Sequence, residues 1–441
     1  MIDILCFDVE KERFINNRKI LYSSKYTKDF IKIAKDKNSE IVYAPLINKI
    51  ISVDKNRIKK SVGKKDVKEF SDGKKEEFST ITINVTSECN FGCTYCNIHE
   101  VHKKPQTINF EFAKKGIDYI LNSGKPIWVS FKGEGEPTLR FDMIKKIIDY
   151  VKGKSNEIKF HIITNGIFDE QKTNWLSENM DFIEISCDGP PEIQDRQRPL
   201  KNGKPSSSFI EKTIESLENC NEKVRIKSTV TEFSVNKLNL IVEYFEKFNM
   251  KNLYIRPVYF WEDPSVIRSF LIKQNLNPKF TMSPEPYAFV KNFLEARELA
   301  KSYGMNLITD DYPIKSPKKV YCEAYGKNLI LLSSGYITSC PGVISPKGFL
   351  KSKLIFGRFD ERKKDIIINK NKLKCLRKST IETNKKCSKC EIKWNCGGEC
   401  IYYKERMKKH YSKECEKQKF ILKSYLTFLT QKYFFNNKIK I

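Results

Sequence analysis

The sequence predicts an α/β protein: a parallel sheet, open or curled into a barrel, with a small module before it and a cysteine-rich domain after it. Three observations predict this. Apolar, β-rich runs recur between residues 81 and 258 with helix-period segments between most of them. Cys89, Cys93 and Cys96 crowd into eight positions directly after the first of those runs. Eight of the fourteen cysteines fall between 320 and 415, where the alternation has stopped.

The first element is a module over residues 1–78. Within it "EIVYAPLINKIISVDKN" (40–56) reads as two short strands around a turn, and "KKSVGKKDVKEFSDGKKEE" (59–77) as a charged, glycine-punctuated linker. The core, 79–304, carries the runs 81–86, 127–131, 158–164, 182–187, 224–230 and 253–258, separated by stretches such as "RFDMIKKIIDYVKG" and "VNKLNLIVEYFEKF". Strands that alternate with helices pair in parallel, and active sites gather at their carboxyl ends. The cysteine triplet lies at such an end. Residues 305–441 form the cysteine-rich domain, closed by a helix over 414–434.

A chain of 441 residues with 40% hydrophobic residues has ample material for a core. The formal charge of +27 points toward nucleic acid. The excess is mostly lysine spread along the chain, so solvated faces are expected instead, and a nucleic-acid partner is not. The start, "MIDILCFDVEKER", lacks a secretory pattern, and no run of about 18 apolar residues exists to span a membrane. A soluble cytoplasmic protein is expected. In a reducing compartment, clustered cysteines are metal ligands before they are disulfides.

Three thiolates on one tight loop can hold three corners of a 4Fe-4S cubane and leave the fourth iron open, or can join a distant cysteine around zinc. The residues that follow decide between these. The spacing Cys89-x3-Cys93-x2-Cys96, with Tyr95 before the last cysteine, resembles the signature of the radical S-adenosylmethionine (SAM) superfamily. "KGEGEPTL" (132–139) resembles its Gly-Gly-Glu-Pro motif, with Glu134 standing where the first glycine is common. "TNG" (164–166) and "SCDGPPEIQDRQRP" (186–199) match further elements, with Gln194 in place of the usual histidine.

That resemblance implies a partial (β/α)6 TIM-like barrel in which SAM chelates the open iron. It implies that Tyr95 contacts the adenine region, Gly135 and Glu136 hold the methionine amine, Ser186 bonds the ribose and Arg198 pairs with the SAM carboxylate. An external one-electron reductant of flavodoxin or ferredoxin type is implied as well.

The downstream cysteines resemble the seven-cysteine SPASM extension, which binds two auxiliary 4Fe-4S clusters. Cys322, Gly335 and Cys340 come first, then Cys387-x2-Cys390-x5-Cys396-x3-Cys400, then Cys415. The resemblance assigns Cys387, Cys390, Cys396 and Cys415 to one cluster, and Cys322, Cys340 and Cys400 to the other. Cys375 is the extra thiol that would complete the second cluster, if its last iron is not left open. Cys6, Cys187 and Cys220 fit no pattern. The only histidines are His99, His102, His161 and His410, little material for acid–base catalysis, and no catalytic acid or base is assigned.

Enzymes with this combination resemble maturases of ribosomally made peptides and of sulfatases. The sulfatase enzymes carry an Asp base directly after the second cysteine of the first pair, where this chain has Pro341. The expected function is therefore hydrogen abstraction from a precursor peptide, installing a crosslink, thioether or epimerised centre. Sulfatase maturation, or small-molecule or RNA modification, is the alternative. Residues 1–78 are expected to help recognise the peptide.

Overall fold

Five short strands precede the main body: β1 (Leu5–Asp8), β2 (Arg13–Asn16), β3 (Ile31–Lys35), β4 (Ser39–Ala44) and β5 (Lys49–Asp54). They pair antiparallel in the order β2-β1-β5-β4-β3. The strands expected within 40–56 are β4 and β5, with Val42 opposite Ile51 and Tyr43 opposite Ile50. The computed structural model describes residues 5–8, 13–16, 31–35, 39–45, 49–54, 78–96, 104–122, 127–154, 158–258, 272, 278–309, 317–343, 354–398, 400–402 and 411–432. The linker read at 59–77 lies outside them, as do His99, His102 and His410.

The six apolar runs are β6 (Thr80–Ile83), β7 (Ile127–Phe131), β8 (Ile158–Thr164), β9 (Phe182–Ser186), β10 (Val224–Val230) and β11 (Asn252–Pro257). They lie side by side in chain order, every pair parallel. Helices α1 (Phe110–Leu121), α2 (Phe141–Lys152), α3 (Glu170–Asn179), α4 (Pro191–Gln197), α5 (Ser207–Ser216) and α6 (Leu238–Glu246) fill the crossovers. This is the partial (β/α)6 barrel.

Local chemistry sets the helix limits. Asn109 caps α1 by accepting from the amides of Glu111 (2.8 Å) and Phe112 (3.4 Å), and Asp169 caps α3 through the Lys172 amide. Helix α2 buries Phe141, Ile144, Ile147, Ile148 and Val151, one stripe at helical spacing. Burying each such side chain contributes roughly 1.5–3 kcal/mol. Strand β10 alternates: Val224, Ile226, Ser228 and Val230 are buried, while Arg225, Lys227 and Thr229 are half-buried. One face of the sheet thus serves the apolar core and the other carries polar groups.

The parallel sheet extends beyond the six runs. After α7 (Pro286–Ser302), β12 (Asn306–Ile308) pairs parallel with β11. On the opposite edge β13 (Asn328–Leu331) pairs parallel with β6, and β14 (Tyr336–Thr338), β15 (Ile355–Asp360) and β16 (Asp365–Ile368) continue antiparallel. The alternation read as ending near 304 therefore runs one strand further. Three residues of β12 are too few to print a pattern in the sequence.

Beyond the sheet, α8 (Lys370–Lys378) is followed by single helical turns around the cysteines and then by α9 (Tyr411–Thr430). The N-terminal sheet docks here. Tyr43 is fully buried, and its hydroxyl accepts from Asn395 Nδ2 at 2.7 Å, one residue before Cys396. Ile31, Ile41, Tyr43 and Ile50 belong to the same apolar core as the barrel. Among the described residues no helix is long and apolar enough to cross a membrane.

Candidate active site

The loop after β6 is held in place before any ligand arrives. Its backbone runs beside residues 197–201: Gly92 N–H donates to Pro199 O (2.8 Å), Thr94 N–H to Gln197 O (2.9 Å), and Lys201 N–H to Asn90 O (2.8 Å). Asn165 Nδ2 donates to Asn90 Oδ1 at 2.6 Å, tying the same loop to the end of β8. Buried backbone groups need such partners, and here they fix the spread of Cys89, Cys93 and Cys96.

These three cysteines wall a cavity of about 480 Å³ at the carboxyl end of the sheet. Gly133 to Glu136, Ile163 to Asn165, Ser186 and Arg198 also line it. Of the residues expected to hold SAM, the structure therefore gathers Gly135, Glu136, Ser186 and Arg198 around one space. A Cβ on Gly135 would stand 2.1 Å from the Glu88 carbonyl oxygen, so only glycine lets this turn approach the cysteine loop.

Glu136 is buried, and its carboxylate is already well used. Oε1 accepts from Thr138 N (3.0 Å), Thr138 Oγ1 (2.7 Å) and Thr164 Oγ1 (2.8 Å), and Oε2 accepts from Asn165 N at 2.6 Å. A carboxylate offers about four lone-pair positions, two on each oxygen. Oε2 accepts one bond against three on Oε1 and is the less crowded oxygen for a ligand donor. Burial raises the Glu136 pKa and these hydrogen bonds oppose the rise.

Asp188, at the end of β9, is the hub that the sequence did not reveal. Its Oδ1 accepts from Arg198 Nε (2.9 Å) and Thr229 N (2.8 Å), and its Oδ2 from Tyr95 Oη (2.6 Å) and Gln197 Nε2 (2.7 Å). Tyr95 therefore stands behind the cavity wall, hydroxyl on Asp188 and ring 5.3 Å from the Arg198 guanidinium carbon. Arg198 also donates to Thr229 Oγ1 (3.2 Å) and reaches Cys93 Sγ (3.9 Å). Of five guanidinium donors, two remain. Burial works against the guanidinium charge, but Asp188, Tyr95 and Cys93 outweigh it and hold the pKa above its ordinary value.

Gln194 fills the place of the usual histidine and uses one acceptor and one donor there. Its Oε1 accepts from the Asp188 amide (2.8 Å) and its Nε2 donates to Ser206 Oγ (2.9 Å). A neutral imidazole also offers one acceptor and one donor.

Burial pushes the Cys93 thiol up to about 12, with Arg198 pulling the other way, and the Cys89 thiol up to about 11. A buried thiolate needs compensation, and a cluster with Arg198 beside it provides that. Among the described residues no three Cys, His, Asp or Glu side chains close on a single-ion site. A cubane asks for something else: thiols spread around a void, with glycines admitting its ligand. The triplet loop, the cavity and Gly135 fit that requirement.

Glu134 occupies the motif position where glycine is common. It lines the cavity, is buried, and accepts from Ser333 Oγ in the turn between β13 and β14. Burial raises its carboxyl to about 7, with hydrogen bonds from Ser333 and Asn84 holding the rise back.

The downstream thiols fall into two sets. Cys396 is pushed up to about 12 by burial, opposed by Lys318, with Cys390, Cys387 and Cys415 adding to the rise. Cys400 and Cys322 act together on Cys340, the buried member of the other set, whose thiol burial raises above its ordinary range. A Cβ on Gly397, whose φ is +70°, would stand 2.4 Å from the Val320 carbonyl oxygen. Cys375 is exposed on α8. Cys187 is buried beside Asp188, and Cys220 is half-buried before β10. Cys6 lies on β1. His161 lies on β8, away from the cysteines.

The family model for the Radical SAM superfamily matches residues 83–235. The chain is 31% identical over 266 residues to uncharacterized protein MJ0907 of Methanocaldococcus jannaschii, covering 59% of this chain and 84% of that protein. It is 24% identical over 336 residues to the cysteine-type anaerobic sulfatase-maturating enzyme of Clostridium perfringens, covering 71% and 86%. Among solved structures it resembles native anSMEcpe with bound AdoMet and Cp18Cys peptide. The TM-score is 0.59 at 19% identity, over 81% of this chain and 99% of that one.

Proposed function

This chain belongs to the radical SAM superfamily, and on that premise we propose that it modifies a ribosomally made precursor peptide, installing a crosslink, thioether or epimerised centre. When bound, the reduced 4Fe-4S cluster and SAM supply the 5′-deoxyadenosyl radical that abstracts hydrogen. The residues do the rest. Cys89, Cys93 and Cys96 hold the cluster and leave one iron for the ligand. Glu136 Oε2 accepts from the methionine amine, the two spare donors of Arg198 take its carboxylate, and Ser186 takes the ribose. Asp188 keeps Arg198 charged and aimed.

Cys387, Cys390, Cys396 and Cys415 would hold one auxiliary cluster and Cys322, Cys340 and Cys400 the other. Residues 1–78 would serve recognition, with β2 or β3, the outermost strands of the five-stranded sheet among the described residues, pairing an extended leader. The observation that carries the peptide reading is that seven thiols, acting on one another in two sets, follow the SAM-type cavity in the same chain, a combination that resembles peptide-acting enzymes.

A second reading, sulfatase maturation, is favoured by the 24% identity to the C. perfringens enzyme. Against it stands Pro341 after Cys340, which can accept no proton. Anaerobic coexpression with a candidate precursor peptide tests the first reading by mass spectrometry. Loss of two hydrogens, or uptake of one deuterium from heavy water, is the expected product. Formylglycine on a sulfatase-type Cys or Ser peptide would replace the first reading with the second.

A further inference from the structure

Glu134 and Glu136 stand two residues apart in the turn after β7, and both line the candidate cofactor cavity. Their side chains reach to opposite flanks of that strand. Glu136 bonds to Thr164 and Asn165 at the end of β8, the neighbour of β7 on one side. Glu134 bonds to Ser333 in the turn between β13 and β14, beyond β6 on the other side. Glu136 thus belongs with Ser186 and Arg198, the residues expected to hold SAM. Glu134 is turned toward the cysteine-rich domain.

The cavity's other carboxylates are answered. Glu88 lies 2.5 Å from Arg140 Nη2, and Glu136 accepts four hydrogen bonds. Glu134 is only 1% exposed, and a buried carboxylate needs compensation. The Ser333 hydroxyl and the Asn84 carboxamide that bond to it are neutral, and they hold back the rise of its pKa without reversing it. Asn84, at the end of β6, packs against the cavity-lining Gly133. A Cβ on Gly133 would stand 2.0 Å from Asn84 Oδ1, so only glycine leaves the carboxamide its place. Asn84 is buried as well, and its Oδ1 has no hydrogen-bond partner among the described residues. Buried polar atoms are seldom left so. A carboxyl group and a carbonyl oxygen therefore lie together at the cavity, and both are acceptors.

We propose that Glu134, with Asn84 beside it, forms a second subsite of this cavity, turned toward the cysteine-rich domain, which takes a cationic nitrogen of the substrate. A cation supplies both the donor that Asn84 Oδ1 lacks and the charge that the neutral partners of Glu134 do not. Its approach would favour the ionised carboxylate against burial. A lysine ammonium and an arginine guanidinium both offer this chemistry. The subsite rests on the peptide reading and narrows it to a precursor with a basic side chain near the modified residue.

The experiment is calorimetric titration of the anaerobically reconstituted enzyme, with and without SAM, using n-pentylammonium, n-pentylguanidinium and neutral pentanamide. One of the cations should bind at least about ten-fold tighter than pentanamide, and Glu134→Gln should weaken it about 10–100-fold, the range for a lost charge-assisted hydrogen bond. Asn84→Ala should weaken it about 2–10-fold, the range for a neutral one. Glu178→Gln, the same charge change at an exposed position of α3, should leave it unaltered. Glu134→Asp should keep most of the preference for the cation and guards against a misfolded Gln variant. A preference for pentylammonium points to lysine and one for pentylguanidinium to arginine, and either supports the subsite. Equal affinity for the cations and pentanamide, or cation binding untouched by Glu134→Gln, overturns it. Failure of SAM itself to bind would count against the cofactor reading instead, and the SAM-free titration still reads Glu134.

Discussion

Arg198 donates from Nε to Oδ1 of Asp188 across 2.9 Å, with both side chains buried. Four donors converge on that carboxylate, so its charge is answered on every side. Asp188→Asn would set an amide donor against donors and leave a buried guanidinium uncompensated. Breaking a buried pair in this way costs about 3–5 kcal/mol. The expected outcome is a clear fall in Tm together with SAM binding weakened at least ten-fold, read by calorimetry. Unchanged SAM affinity would remove Asp188 from the positioning role.

Gln194 provides a cleaner comparison. Gln194→His keeps one acceptor and one donor and should change stability by less than about 1 kcal/mol. Gln194→Leu strands the Asp188 amide, whereas Ser206 Oγ keeps its bond to Arg198 O (2.7 Å), and should cost about 1–3 kcal/mol for the one unsatisfied group. Urea unfolding of the two variants would measure both.

Glu134 predicts an unusual pH dependence. Its carboxyl rises from 4.5 to about 7 on folding, so the folded protein holds this proton more tightly than the unfolded chain does. The stabilisation is complete below about pH 4.5 and is lost as pH rises through about 7. The change amounts to about 3 kcal/mol at most, from the size of the shift. Glu134→Gln should flatten stability between pH 5 and 8 relative to wild type. An identical slope in both proteins would contradict the assignment.

Iron content tests the cysteine sets. Reconstituted enzyme should approach about twelve irons, the content of three cubanes. A Cys89/Cys93/Cys96→Ala variant should retain about eight and lose SAM cleavage entirely. Cys375→Ala should keep its full iron, because that thiol is not among those acting on Cys340 or on Cys396. Zinc in place of tail iron would refute the auxiliary-cluster assignment.

The barrel was legible because its strands repeat a strong local signal, an apolar run followed by a helix-period stretch. β12 and β13 were not, since three or four residues carry no period, and their pairing with β11 and β6 is decided by tertiary contact. Most cavity residues lay in quoted motifs, each read from its near neighbours. Asp188 sat inside one of those motifs, yet its role stayed hidden. Tyr95 and Thr229, two of its four partners, lie 93 and 41 residues away.

The parallel pairing of β13 with β6 bears on how small a working version of this protein can be made. Residues 328–331 cover one flank of β6, and the residues that cover it arrive 245 positions after that strand is synthesised. A nascent or shortened chain ending near 309 would present β6 with open amide and carbonyl groups on that flank, a template for pairing with another molecule. Purified in a test tube or emerging from a ribosome, such a fragment should self-associate. Any shortened form must therefore run through Leu331, however little of the auxiliary chemistry it is meant to keep.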